Sequence, residues 1–211
     1  MKQEFIRNFK FWGIQAQKTV LMMIAFGVGY TILFNKIMGQ DVNYMILMSV
    51  VCCFVMPVST LGAYLPMLIS FGSRRTESAL GIQIMHILMI VEMLVANYVH
   101  RLFFREYEML GENTMLKLLF LMLLCTALGQ LTSCVSLKFG MKVTVVFIVL
   151  CSVLAVGGMI AGILSGFYGV AFFVLSNSLM PIATVAAIVL YLISIWVLVL
   201  VMKKFEVKNV G

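Results

Sequence analysis

Six long apolar runs dominate this sequence and restrict what it can fold into. Each run is close to the roughly 20 residues that a helix needs to cross a bilayer. Strands of a membrane barrel are about half as long and alternate between apolar and polar residues. The runs therefore predict an all-α membrane protein, with spans at Thr19 to Ile37, Tyr44 to Ile69, Ala79 to Val99, Met115 to Leu137, Val143 to Leu164 and Pro181 to Met202.

The composition agrees with this class of protein. Hydrophobic residues make up 63% of the chain and charged residues 11%, whereas a soluble domain is about half apolar and a quarter charged. No linker, repeat or low-complexity stretch divides the runs, so residues 1–211 form a single predicted membrane domain. The five cysteines all fall in apolar runs without the paired spacing of a metal site, which indicates buried thiols.

The positions of lysine and arginine predict the orientation, because these residues concentrate in cytoplasmic loops. With the N-terminus inside, eleven of the 15 lysines and arginines lie on the cytoplasmic side. Both termini are then cytoplasmic. The net charge of +7 follows from this topology and from attraction to anionic membrane lipid. No basic face studded with aromatic residues is present, so nucleic acid is not an expected partner.

The first 18 residues have the pattern of an amphipathic helix. Phe5, Phe9, Trp12 and Ala16 recur at helical spacing, with basic residues on the other side. We expect residues 1–18 to form an interfacial helix at the inner membrane surface. It would serve either as a simple anchor or as a lever that joins a cytoplasmic partner to the spans.

Two further segments interrupt the regular pattern. Pro57 and Pro66 predict a kink or a break in the second span, which is either ordinary for a membrane helix or a hinge. Residues 165–180 are too apolar for a free outer loop and too short to cross. They form either a re-entrant segment in the outer leaflet, or extensions of the flanking helices that meet near Ser176 and Asn177.

The segment at residues 70–78, between the second and third spans, is the most informative. Gly72 suits a sharp turn, and Ser73 and Glu77 suit the start of a helix. Arg74 and Arg75 do not, since cations near a helix N-terminus cost roughly 0.3 to 1 kcal/mol each. Either lipid phosphate compensates the arginines, or the pair docks into an acidic or polar groove of a soluble protein.

The basic N-terminal helix, six spans, the FGSRRTESALG segment and the apolar stretch before the last span together resemble the type-2 ABC exporter permeases of bacteria. The resemblance implies that two permease chains pair in the cell membrane, and that a separate ATPase binds ATP and Mg. It also implies that residues 165–180 form the outer re-entrant segment, although the chain has little outer domain. The residues implied to contact the ATPase are Gly72, Ser73, Arg74, Arg75, Thr76 and Glu77.

Polar residues inside the spans are further candidates for function. Glu92 is expected to need a partner, because an intramembrane carboxylate costs about 2.5 kcal/mol or more. Gln83, His86 and Asn97 lie on the opposite face of its helix. Pairing with another span, such as at Gln130, or with a second subunit is therefore expected.

Two helical stripes complete the candidates. Thr126, Gln130 and Ser133 either line a pathway or hydrogen-bond neighbouring helices. A ridge of small residues allows close helix packing and is a possible dimer seam. It consists of Gly158, Gly162 and Gly166.

The motifs that are missing from the sequence bound its chemistry. It has no GxxxxGK[ST] phosphate loop, HExxH or GxSxG motif, so an enzyme is not expected. The expected function is the permease of an ATP-driven exporter for an amphipathic substrate, such as an antimicrobial peptide, an antibiotic or a lipid. The alternatives are the substrate-binding subunit of an energy-coupling-factor importer for a vitamin or metal, and an ion-coupled carrier or channel that uses Glu92.

Overall fold

The computed structural model describes residues 2–38, 44–65, 69, 75–103, 114–140, 145–146 and 180–204. All of these residues except Gly140 are helical. The long helices within the described ranges are α1 (Lys2–Met38), α2 (Tyr44–Ser59), α3 (Arg75–Phe103), α4 (Thr114–Phe139) and α5 (Met180–Lys204).

The prediction of membrane helices is confirmed in part. Five helices of the described residues are long and apolar enough to cross a membrane, which fits a multi-pass membrane protein. They correspond to five of the six predicted spans. The remaining predicted span, Val143 to Leu164, lies outside the described residues except for 145 and 146. The predicted re-entrant segment at 165–180 also lies outside them except for Met180, the first residue of α5.

Helix α1 differs from the prediction at its start. Its 37 residues form one uninterrupted helix, whereas a separate interfacial helix was expected at residues 1–18. Each residue adds about 1.5 Å, so α1 is about 55 Å long, well beyond the roughly 30 Å of bilayer hydrocarbon. The chain has no proline before Pro57 to break this helix. The amphipathic segment is therefore continuous with the first span.

Helix α2 runs through Pro57 in α-helical form and ends at Ser59, so it does not break at this proline. Proline has no N–H to donate to the carbonyl of Cys53, so the regular hydrogen-bond ladder is interrupted. The helix continues past Ser59 in π-helical form over Thr60–Tyr64. Proline kinks and π-helical turns are the usual places where a long helix bends. The second predicted proline of this span, Pro66, lies outside the described residues.

Close helix contacts position the rest of the bundle. Helix α4 packs against α2 and α5, and α1 packs against α2 and α3. At Gly27 of α1, an added Cβ would lie 2.7 Å from the Met45 sulfur of α2. The interior is rich in sulfur-containing side chains, which fill irregular gaps well. Buried examples are Met45, Cys52, Cys53, Met56, Met85, Met89, Met93, Met122 and Cys134.

The outer surface is apolar, as lipid contact requires. Along α5, four large side chains are each more than half exposed, and they lie on the side away from the buried Tyr191 and Ser194. A water-facing helix would carry polar residues at these positions. The four are Ile182, Val185, Leu192 and Trp196.

Candidate functional site: a buried hydrogen-bond network

A group of polar side chains is buried inside the described bundle, among apolar neighbours. Its six members come from the π-helical turn, α3, α4 and α5, and each is less than one-tenth exposed. Burying so many polar groups is favourable only if they bond one another. We call this group the His86 network, and its members are Thr60, Gln83, His86, Gln130, Tyr191 and Ser194.

His86 lies between two hydrogen-bond partners from different helices. Gln130 Nε2 lies 3.0 Å from Nδ1 of the ring, and Thr60 Oγ1 lies 2.9 Å from Nε2. Because the Gln130 amide donates to Nδ1, the ring carries its proton on Nε2 and donates it to the Thr60 hydroxyl. Thr60 in turn donates to the carbonyl oxygen of Met56 at 2.7 Å. A neutral imidazole thus connects α3 to α4 and to the π-helical turn.

Gln130 of α4 makes the largest number of these contacts. Its Nε2 also donates to Gln83 Oε1 at 2.7 Å, and its Oε1 accepts a hydrogen bond from Ser194 Oγ at 2.7 Å. Gln83 Oε1 accepts a second hydrogen bond, from the Tyr191 hydroxyl at 3.2 Å. Both hydrogens of the Gln130 amide are used, and its oxygen is bonded. Through this one side chain, α4 is hydrogen-bonded to both α3 and α5.

One donor of the network remains unused among the described residues. Gln83 Nε2 is buried and has no hydrogen-bond partner there. An unpaired buried polar group costs about 1–3 kcal/mol. The Gln83 amide is therefore the least satisfied polar group of the network within the described residues.

Helix α4 also contacts α2 closely at Pro57. Ser133 Oγ donates to the Pro57 carbonyl oxygen at 3.0 Å, next to the site of the lost ladder bond. A Cβ at Gly129 would lie 2.6 Å from the carbonyl oxygen of Phe54 and 3.2 Å from the Pro57 ring. Real Cβ atoms are essentially never found so close to a backbone oxygen. Glycine at 129 is therefore required for the helices to approach this closely.

A second polar contact joins α2 to α3 further along. Asn97 Nδ2 donates to Ser49 Oγ at 2.6 Å and to the Met93 carbonyl oxygen at 2.8 Å. Ser49 Oγ donates to the Met45 carbonyl oxygen at 2.7 Å. This pair stabilises the packing of α2 on α3 independently of the His86 network.

Glu92 pairs within the chain. Gln17 Nε2 of α1 donates to Glu92 Oε1. A partner on another predicted span or in a second subunit was expected, whereas Gln17 lies just before the first predicted span. The partner suggested as an example, Gln130, bonds His86, Gln83 and Ser194 instead. Gly13 lies one turn before Gln17, and a Cβ there would lie 4.0 Å from the Met85 side chain of α3. The turn of α1 from Gly13 to Gln17 thus packs beside α3.

The side chains of the predicted polar stripe on α4 form hydrogen bonds within α4 and to neighbouring helices. Thr126 donates to the Met122 carbonyl of its own helix at 2.7 Å, while Gln130 and Ser133 reach neighbouring helices. Single interhelical hydrogen bonds in membranes contribute about 0.6 kcal/mol on average. Within the described residues, no group of three or more His, Cys, Asp or Glu side chains is placed to hold a metal ion. The arrangement is suited to connecting helices through neutral, directional bonds.

The other predicted site residues are described only in part. Arg75 and Thr76 are the first two residues of α3, with only their backbone described, and Glu77 is partly buried in its first turn. The remaining coupling and ridge residues lie outside the described part of the chain. These are Gly72, Ser73, Arg74, Gly158, Gly162 and Gly166.

Several residues of the network were not predicted from the sequence. Tyr191 and Ser194 are three residues apart in an otherwise apolar span, which places them on one helix face and could have indicated a polar contact. Thr60 follows Pro57 by three residues and carries no comparable pattern.

Comparison with protein-family models, with curated proteins and with solved structures found no match for this chain.

Proposed function

We propose that this chain is the permease subunit of an ATP-driven exporter in the cell membrane, with both termini cytoplasmic. A separate ATPase would bind ATP and Mg, and two permease chains, identical or related, would form the pathway. The cargo would be an amphipathic molecule such as a peptide, an antibiotic or a lipid. Five helices that are apolar and long enough to cross a membrane support the part of this proposal that makes the chain a multi-pass membrane protein.

The observation that carries the proposal is the position of the π-helical turn. The turn ends at Tyr64, shortly before segment 70–78, in which the arginine pair lies. Helix α3 begins at Arg75, within that segment. A protein that pushes on the segment would therefore act on the end of one membrane helix and the start of the next.

The His86 network provides a route by which such a push would reach other helices. The π-helical turn is bonded to α3 through Thr60 and His86, and His86 is bonded to α4 through Gln130. Gln130 is bonded to α5 through Ser194. A bend at Thr60–Tyr64 would change all three contacts together. We infer that the network couples movement of the cytoplasmic segment to movement of α5.

The test is whether an ATPase associates with the chain through the arginine pair. A tagged chain is extracted from its native membrane in mild detergent, and proteins that come with it are identified. We expect an ATP-binding protein with the wild-type chain, and its loss with the double variant Arg74→Glu and Arg75→Glu. The matched control reverses the other adjacent basic pair, with Lys203→Glu and Lys204→Glu at the end of α5, and should keep the complex.

Two results would overturn the proposal. One is an ATP-binding protein that remains bound to the arginine double variant as strongly as to the wild type. The other is a purified chain that carries a small molecule in one-to-one ratio and no ATPase, which would favour the substrate-binding subunit of an importer.

A further inference from the structure

Three sulfur atoms line the contact between α2 and α3. Cys52 Sγ of α2 lies 3.9 Å from Met89 Sδ of α3, and both side chains are buried. One turn further along α3, Met93 Sδ lies 3.7 Å from Ser49 Oγ of α2, so it faces the same helix. Cys52 and Ser49 are also one turn apart. The three sulfur atoms therefore belong to one short stretch of a single helix interface.

We propose that Cys52, Met89 and Met93 form an intramembrane binding site for a soft monovalent metal ion, Cu(I) or Ag(I). Thiolate and thioether sulfur are the protein ligands that such ions prefer, and harder ions such as Mg²⁺ and Ca²⁺ prefer oxygen. The site does not depend on the proposed transport function.

The sulfur spacing suits a site whose ligands do not lie on opposite sides of the ion. With a metal–sulfur distance of about 2.3 Å, two ligands are about 3.8 Å apart around a tetrahedral ion, about 4.0 Å apart around a planar three-coordinate ion and about 4.6 Å apart when they lie on opposite sides. The Cys52 to Met89 distance of 3.9 Å fits three or four ligands and not two opposite ones. Met93 supplies the third sulfur, because methionine has three rotatable bonds and adjusts readily.

Charge balance selects a monovalent ion. When the ion binds, the S–H bond of Cys52 breaks, a sulfur–metal bond forms and the proton leaves to water. The two thioethers donate lone pairs, and no electron is transferred. The thiolate and a monovalent cation together add no net charge to the interior, whereas a divalent ion would leave one uncompensated positive charge there. An unpaired charge in a membrane interior is costly.

The other polar groups near the site suit a soft ion less well. Both ring nitrogens of His86, one turn before Met89, have partners in the His86 network. The Ser49 hydroxyl accepts a hydrogen bond from Asn97 Nδ2. Asn97 Oδ1 has no partner among the described residues, but an amide oxygen is a harder ligand than sulfur. Sulfur is therefore the preferred ligand for a soft ion at this place in the interface.

The test uses the full purified chain in lipid nanodiscs, without a partner, under anaerobic reducing conditions. Cu(I) is added in competition with a chromophoric Cu(I) chelator. We expect one tightly held Cu(I) per chain, and X-ray absorption that shows three sulfur ligands at about 2.3 Å. Met89→Leu and Met93→Leu should each weaken binding by about tenfold or more, the scale of effect at metal sites. These swaps nearly conserve volume, so the fold should persist.

The controls separate this site from general binding by thiols. Met85 lies one turn before Met89, but its side chain is directed to Gly13 of α1. The substitution Met85→Leu should therefore leave the affinity for Cu(I) unchanged. A chain in which the other four cysteines are alanine should still hold one ion, and adding Cys52→Ser to it should abolish binding.

Three results would overturn the site. They are no retained Cu(I), equal loss with Met85→Leu, or an absorption spectrum dominated by nitrogen or oxygen ligands. Because the measurement needs neither ATP nor an ATPase, it succeeds or fails separately from the proposed function.

Discussion

Thr60 Oγ1 and His86 Nε2 are 2.9 Å apart, and this contact joins the π-helical turn after α2 to α3 inside the bundle. It is buried on both sides, with Thr60 at 5% and His86 at 2% exposure. The threonine belongs to a π-helical turn, where the backbone ladder is already irregular. The π-helical turn is therefore in contact with a side chain from another helix.

Replacing Thr60 by valine tests that dependence. Valine keeps the shape of the side chain but leaves the His86 N–H without an acceptor, so we expect unfolding to become easier by about 1–3 kcal/mol. The measurement is reversible unfolding of the purified chain in mixed micelles, followed by circular dichroism. Thr132→Val is the control, because the Thr132 hydroxyl bonds the Leu128 carbonyl of its own helix. Equal losses in the two variants would show that the contact contributes nothing.

The contact between Tyr191 and Gln83 is suited to a double-mutant cycle. Tyr191→Phe removes one hydroxyl and keeps the ring, and should cost about 0.5–1.5 kcal/mol in the wild-type chain. In a Gln83→Leu background the acceptor is gone, so the same change should cost clearly less. Unfolding of all four chains gives the interaction energy. An energy of zero would mean that the hydroxyl and the amide do not stabilise one another.

Gly129→Ala should force α2 and α4 apart. The new methyl group would lie 2.6 Å from the Phe54 carbonyl oxygen, which cannot move without shifting the backbone. Overpacking of this kind typically costs about 1–3 kcal/mol. Gly29→Ala in α1 is the matched control, because a Cβ there meets nothing within 4 Å. The control should be neutral or more stable than the wild type, by at most about 1 kcal/mol, since alanine is the better helix former. If Gly129→Ala and Gly29→Ala change the free energy of unfolding by the same amount, α2 and α4 do not approach as closely as described.

The path of α1 is tested by cross-linking. In a chain whose native cysteines are alanine, Gln17→Cys and Glu92→Cys should be joined efficiently by a short bifunctional thiol reagent, because the two side chains bond each other. A control pair of Gly29→Cys and Glu92→Cys should react poorly, since Gly29 is about 18 Å further along α1. Poor reaction of the first pair would support a separate surface helix at residues 1–18.

The membrane helices were predictable because their signal is local. A run of about 20 apolar residues identifies a span without knowledge of its neighbours, and the disturbance at Pro57 follows from the missing N–H of one residue. The join between residues 1–18 and the first span was not predictable in the same way. An amphipathic stripe indicates which face is apolar, but it does not show whether the helix lies flat or continues into the bilayer.

For the candidate site, the sequence predicted which residues share a face of the same helix, but not which helices meet. The helical projection correctly placed Gln83 and His86 on the face opposite Glu92, and it grouped Gln130 with Ser133. It gave no information on which faces meet. The pairing of Gln130 with His86, and of Glu92 with Gln17, depends on the packing of α1, α3 and α4 in space.

Site-specific photo-cross-linking tests most directly whether an ATPase acts on the segment between α2 and α3. A photoreactive amino acid replaces Thr76 in the first turn of α3, or Phe103 at the other end of the same helix. After illumination of native membranes, we expect the probe at Thr76 to be joined to an ATP-binding protein and the probe at Phe103 not to be. An adduct with such a protein from Phe103 instead, or from neither position, would contradict the proposed coupling.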